Sequence, residues 1–294
     1  MKERGDRLRV SQQQVSAIRD VGHFKGSLYG ELNIEKTLEF FQKKYIDVVS
    51  KHYRAIGPET VVLDVGCGYG WLSHALVMST GCQVIAVEVD AKRLEAAQII
   101  GRILETSHRV EWLAEPLGSL SLPDRSVDVL FAIEVLEHVD RNTAAFDDLA
   151  RLVKDTLVIT TPNLLFPIIA HDTRLPFCHW LPIRARKKYA QLAGRTSCEN
   201  DNRFWSARDL DKNLKGFERV SNILHYPGWQ EMQDVFPLYT PYRGSGYIDN
   251  GPTGVKRMYY RWASVLGSRS HYVMPNLASV YRRMNASPRS RGSE

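Results

Sequence analysis

Residues 60–70 read Thr-Val-Val-Leu-Asp-Val-Gly-Cys-Gly-Tyr-Gly, and the apolar stretch Trp71–Val77 follows directly. A β-branched apolar run, a glycine cluster and a helical pattern in that order predict a strand, a tight turn and a helix. The alternation then continues. Gln83–Val87, Val110–Leu113, Val127–Ile133 and Thr156–Thr160 read as short strands. Ala91–Leu104 and Thr143–Val153 read as the helices between them. Apolar strands without inside–outside alternation, separated by helices, predict a parallel sheet covered on both faces. Right-handed crossovers make this a doubly wound α/β fold of Rossmann-like type. Ala207–Leu214 reads as a helix with Ser206 as its N-cap. Phe217–Leu224 and Leu277–Tyr281 complete an expected, mostly parallel, seven-stranded sheet.

The glycine turn predicts a nucleotide-type ligand. Glycines let backbone approach a ligand closely, and a helix N-terminus presents free N–H groups. The second strand ends in Glu88, 24 residues after Asp64, where a carboxylate can accept both hydroxyls of a ribose. A dinucleotide fingerprint wants G-x-G-x-x-G, but its third glycine would fall on Trp71. Here the glycines stand at 66, 68 and 70, after an acid. That pattern suits S-adenosylmethionine (SAM), which has no pyrophosphate and whose ammonium favours a carboxylate such as Asp64. A glycine turn without a ligand is the plainer alternative.

On these residues the chain resembles the class I SAM-dependent methyltransferases, well over roughly 60–162 and more loosely near Phe217 and Leu277. The resemblance implies that Asp64, Gly66 and Gly68 cradle the amino-acid part of SAM and that Glu88 holds its ribose. It puts Cys67, Val89 and Ile133 among the cofactor-binding residues and makes Glu115 the candidate adenine contact.

The second signal is Glu134-Val135-Leu136-Glu137-His138-Val139, just beyond the fourth strand. Ligands of parallel sheets bind outside the carboxyl ends of the strands, so this segment borders the same pocket. If it is helical, Glu134, Glu137 and His138 share one face. Two carboxylates and an imidazole can hold a divalent cation. The competing reading gives them loop-orienting or SAM-positioning roles. The E-x-x-E-H phrase is similar to that of the ubiquinone-pathway catechol O-methyltransferases and the small-RNA 3′-terminal 2′-O-methyltransferases. That resemblance implies Glu134, Glu137 and His138 as metal ligands. No histidine occurs between Glu199 and Phe204, where the fourth ligand falls in those families, so His171 becomes its substitute. The expected chemistry is metal-assisted or His-assisted O-methylation, with Glu134 and His138 or His171 as catalytic groups.

The remaining chain bears on organisation and acceptor. Residues 1–55 read as an arm followed by an amphipathic helix, with the first 30 residues a loose arm or lid. Residues 56–284 form the main domain and 285–294 a flexible tail. An insertion over about 163–204 carries prolines, aromatics and the basic helix Ile183–Ala193, and is expected to cap the site. Its aromatics suit a sugar or quinol ring. Its Arg184, Arg186, Lys187 and Lys188 suit either a solvated face or an anionic membrane surface. The 294 residues carry 39 Lys and Arg against 33 Asp and Glu, a net charge of +6, which permits an acidic partner without requiring one. No recognised RNA-binding module or long basic run appears, so nucleic acid is not the expected substrate. Four cysteines without a C-x-x-C pair, no apolar run of transmembrane length and a charged N-terminus predict a cytoplasmic protein, with peripheral membrane contact left open. The expected acceptor is a glycan, a glycolipid or lipid-linked molecule, or a polyhydroxylated small molecule. Quinol or catechol methylation, RNA methylation and SAM binding without catalysis are the alternatives.

Overall fold

The computed structural model describes residues 8–27, 29–30, 32–139, 144–168, 173, 175–195, 203–221, 254–266, 269 and 272–284. Seven strands form one sheet: β1 (Val61–Val65), β2 (Gln83–Val87), β3 (Val110–Leu113), β4 (Val127–Ile133), β5 (Val153–Pro162), β6 (Phe217–Ser221) and β7 (Asn276–Arg283). Their order is β3-β2-β1-β4-β5-β7-β6. The first five run parallel, and β7 lies antiparallel between β5 and β6.

The helices follow in chain order: α1 (Gln12–Arg19), α2 (Gly22–Lys25), α3 (Ile34–Phe41), α4 (Asp47–His52), α5 (Trp71–Thr80), α6 (Ala91–Ile103), α7 (Ala144–Leu152), α8 (Ile183–Leu192), α9 (Ala207–Asn213) and α10 (Gly254–Val265). Successive strand residues feed two separate apolar cores, one per face. Val62, Val84, Val129, Phe131 and Val158 pack with α1–α6. Leu63, Val87, Leu130, Leu157 and Ile159 pack with α7 and α9. This is the doubly wound α/β architecture that the uninterrupted apolar strands predict.

The N-terminal segment differs from expectation. Residues 8–27 are folded, not a loose arm. Ser11 caps α1 in a reciprocal box with Gln14. The Gln14 amide donates to the Ile103 carbonyl at the end of α6. Ile18 and Phe24 are fully buried. Phe24 meets Tyr69 and Trp71 edge-on, at 5.2 and 5.6 Å between ring centroids. Two large apolar side chains anchor a segment whose polar, glycine-bearing composition hides them. They bring it onto the glycine turn itself, where Tyr69 Oη lies 3.1 Å from His23 Nδ1.

Between α3 and α4 the helix widens into a π turn over Gln42–Ile46. Such turns insert one extra residue and re-aim the side chains they carry. The expected helix Ile34–Tyr53 is therefore present but interrupted, and the interruption holds Lys44.

Candidate functional site

β1 is the switch point of the sheet, with β2 on one side and β4 on the other. Sheets of this kind bind their ligands at such a point, in the cleft beyond the carboxyl ends of the strands. Both sequence signals end at this cleft.

On the β1 side, Gly66 and Gly68 have φ of +66° and +56°, a region costly for residues with a Cβ. They differ in what surrounds them. A Cβ on Gly66 would stand 2.5 Å from Val135 Cγ2, so this glycine admits the turn after β4. A Cβ on Gly68 would meet no atom within 4 Å, so this glycine borders open space. Asp64 lies buried beneath the turn and accepts from the Ser73 hydroxyl at 2.6 Å. Burial pushes its carboxyl up to about 7, with the Ser73 hydrogen bonds pulling down and the charge of Glu88 adding to the rise.

Glu88 is aimed at the same turn. Its Oε2 accepts from the Gly68 N–H at 2.9 Å and its Oε1 from the Asp90 N–H at 3.0 Å. Each oxygen keeps a further lone pair for a ligand hydroxyl. Cys67 is tied to β2 through its N–H, which donates to the Val87 carbonyl at 3.0 Å. Val89 is exposed just beyond Glu88, and Ile133 is half-buried at the end of β4. Glu115 sits in a surface loop, where its carboxylate accepts from the Ser121 hydroxyl at 2.7 Å and the Ser121 N–H at 2.8 Å. These bonds hold it below the usual carboxylate range.

On the β4 side, the expected helix shrinks to a single 3₁₀ turn, Leu136–His138. The reason is Glu134, whose φ of +54° breaks helical continuity; its N–H donates to the Thr160 carbonyl and hydroxyl. A non-glycine residue in this region is strained, and such strain concentrates at functional sites. The turn is strapped from outside. The Trp205 indole N–H donates to the Leu136 carbonyl at 2.9 Å, and the Arg203 N–H donates to the Glu137 carbonyl at 2.8 Å.

The turn brings Glu134 and Glu137 together but not His138. Glu137 is 1% exposed and accepts from the Thr161 hydroxyl at 3.0 Å, whereas His138 is exposed. Burial raises the Glu137 pKa, and the adjacent Glu134 raises it further. The one-face arrangement of Glu134, Glu137 and His138 is thus corrected: a 3₁₀ turn after a left-handed residue cannot keep the i, i+3, i+4 alignment. His171 lies outside the described residues. Among the described residues no three His, Cys, Asp or Glu side chains converge as metal ligands.

A cation does reach the pair, and pattern reading missed it. Lys44, in the π turn, is only 6% exposed. Its ammonium lies 4.9 Å from the Phe40 ring centroid and 5.0 Å from that of Tyr45. Burial lowers its pKa to about 8, and the charge of Glu134 works against that shift. In sequence, Lys43-Lys44 looks like a solvated helix face; only the π turn separates exposed Lys43 chemistry from buried Lys44.

Residues 63–158 match the family model described as a methyltransferase domain. The chain carries a class I SAM-dependent methyltransferase domain. Over 121 residues it is 33% identical to a ubiquinone biosynthesis O-methyltransferase of Xanthomonas oryzae pv. oryzae, covering 41% of this chain and 48% of that protein. Over 131 residues it is 32% identical to a probable SAM-dependent methyltransferase of Mycobacterium tuberculosis, covering 42% and 45%. The chain thus spans about half the length of the curated relatives it matches. The geranyl diphosphate C-methyltransferase of Streptomyces coelicolor A3(2) shares the fold of the methyltransferase domain and its surroundings, with a TM-score of 0.51 over 90% of this chain and 84% of that one at 13% identity. The matched segment contains every residue of the glycine turn from Asp64 onward, Glu88, and the Glu134–Glu137 turn.

Proposed function

We propose that this chain is a SAM-dependent O-methyltransferase whose acceptor carries neighbouring hydroxyls, as a glycan, a lipid-linked sugar or a polyhydroxylated small molecule does. The observation that supports it most is the buried Asp64 beneath an open glycine turn, with Glu88 held toward the same space. Asp64 would take the ammonium of SAM, Glu88 its ribose hydroxyls, and the backbone of the turn its carboxylate. Bound SAM supplies a methyl carbon made electrophilic by its sulfonium.

The remaining work is orientation of the acceptor and removal of its proton. Effective in-line transfer needs the reacting oxygen about 3–3.5 Å from the methyl carbon. Glu134 stands at the end of β4, across the switch point from the glycine turn, and is the group we assign to the acceptor hydroxyl. Burial favours the protonated form of Glu137 beside it. Lys44 offsets the negative charge of Glu134 there. The apolar and aromatic cap over 163–204 would cover the acceptor ring.

The similarity to ubiquinone biosynthesis O-methyltransferases favours a second reading, in which the acceptor is an aromatic diol. Calorimetry with SAM, followed by turnover of methyl-labelled SAM against sugar diols and catechols, separates the readings. Turnover confined to catechols selects the second. SAM binding with no product from any acceptor leaves a non-catalytic binding protein. No SAM binding removes both.

A further inference from the structure

The apolar groups this protein shows to solvent are unevenly placed. Twelve of the fourteen large apolar side chains exposed among the described residues lie between Leu165 and Tyr272. Within the cap, Phe177, Trp180, Leu181 and Ile183 are all exposed, and the Phe177 and Trp180 rings touch at 5.0 Å between centroids. Phe177 holds φ at +60°, a strained backbone for an aromatic residue, while its ring faces outward. On α10, Met258, Trp262 and Val265 are 71%, 52% and 81% exposed. Their spacing of four and three puts them on one helix face. Ala263, on the opposite side, is fully buried.

The two patches are joined. The Trp180 indole donates to the Leu164 carbonyl at 2.6 Å. Two residues on, Phe166 meets Tyr259 of α10 at 6.4 Å between centroids, and Tyr259 meets Trp262 at 6.1 Å. The same two segments are basic in sequence. Residues 177–195 and 254–265 together hold eight Lys and Arg and no Asp or Glu, more than the whole net charge of +6.

We propose that the cap and α10 form one docking surface for an anionic lipid bilayer. Aromatic rings, aliphatic side chains and cations in one exposed patch suit the headgroup boundary, where rings and aliphatics enter the apolar layer and cations meet lipid phosphates. A single-stranded nucleic acid would use the cations and rings but has no place for Leu181, Ile183, Met258 and Val265. A second copy of the chain would bring a like-charged patch against this one. None of the residues named for this surface belongs to the glycine turn or the Glu134–Glu137 turn, so the proposal does not depend on the methyltransferase reading.

The test is co-sedimentation of the full chain with phosphatidylcholine vesicles, with and without about a third phosphatidylglycerol, beside a single-stranded RNA oligomer. Binding to the anionic vesicles alone, with a blue shift of tryptophan fluorescence, is expected, and raising salt from about 0.1 to about 0.5 M should weaken it. Replacing Met258 and Trp262 by Ser should weaken vesicle binding about tenfold, and K187E with K188E by a similar factor. All are exposed, so unchanged thermal melting shows that the fold is intact. Equal binding to neutral and anionic vesicles, or vesicle binding untouched by both variant pairs, overturns the proposal. So does RNA binding at vesicle-inactive concentrations, or burial of Trp262 in a dimer that ignores lipid.

Discussion

The ends of β1 and β4 face each other across the switch point, and both carry a buried acid whose pKa is raised. They are built in opposite ways. Asp64 has a single hydroxyl donor, Ser73, and lies under a turn that leaves open space at Gly68. Glu137 has a second acid beside it and Lys44 close to that acid. Among the described residues no cation bears on the first arrangement, which suits a ligand that brings one. The second already has its cation and suits a neutral acceptor that must give up a proton. Two acids of similar burial can thus be told apart by what compensates them.

The largest expected effect tests the contact between the two ends. Gly66→Ala places a Cβ at positive φ and against Val135, and should cost about 2–4 kcal/mol of stability, read by chemical denaturation. Val135→Ala in the same chain should recover part of that loss. No recovery would mean that the two turns do not press on each other.

Next comes the uncompensated acid. Asp64→Asn should weaken SAM binding about 10- to 100-fold in calorimetry, the scale of one lost charged hydrogen bond. In the wild type, the carboxyl releases its proton only as pH rises through about 7. SAM affinity should therefore climb by up to about tenfold per pH unit below that value and level off above it. The folded-state pKa lies above the unfolded value, so the unliganded protein loses stability over the same rise. A pH-independent affinity, or an Asn variant that keeps the slope, would remove Asp64 from the ammonium site.

The compensated acid predicts a different split. Lys44→Met should lower turnover about tenfold while leaving SAM affinity within about twofold, and Lys44→Arg should restore part of the rate. Turnover should also survive a strong chelator. Loss of rate with chelator and none with Lys44→Met would reverse the assignment and return the cation role to a metal. The smallest effect belongs to His138. Its side chain is exposed, so His138→Ala should change stability by no more than about 0.5 kcal/mol and turnover by less than about twofold.

Much of this was legible in the sequence, for identifiable reasons. Gln83–Val87, Val110–Leu113 and Val127–Ile133 fall where they are predicted, because strands buried on both faces leave continuous apolar runs with sharp ends. β5 starts earlier than expected, at Val153, because Lys154 and Asp155 disguise its first turn of chain as a helix end. The glycine turn and Glu88 were readable because their spacing is fixed by local backbone. The acid–acid–histidine turn was readable as a location but not as a geometry. Nothing in Glu134-Val135-Leu136 announces a left-handed residue, and one such residue decides which side chains meet. Ile18 and Phe24 were hidden by polar neighbours, and Lys44 by an extra residue in a helix whose period looks regular. His171 falls outside the described residues, so its sequence-based role stays an expectation.

The position of β7 has a consequence for biosynthesis. It separates β5 from β6, yet it begins at Asn276, more than a hundred residues after β5 ends at Pro162. As the chain leaves the ribosome, the long apolar edge of β5 must wait for its antiparallel neighbour while the intervening segment is made. An uncovered apolar strand is a template for wrong pairing. Premature stops before residue 276 should therefore yield aggregates and not a smaller soluble protein.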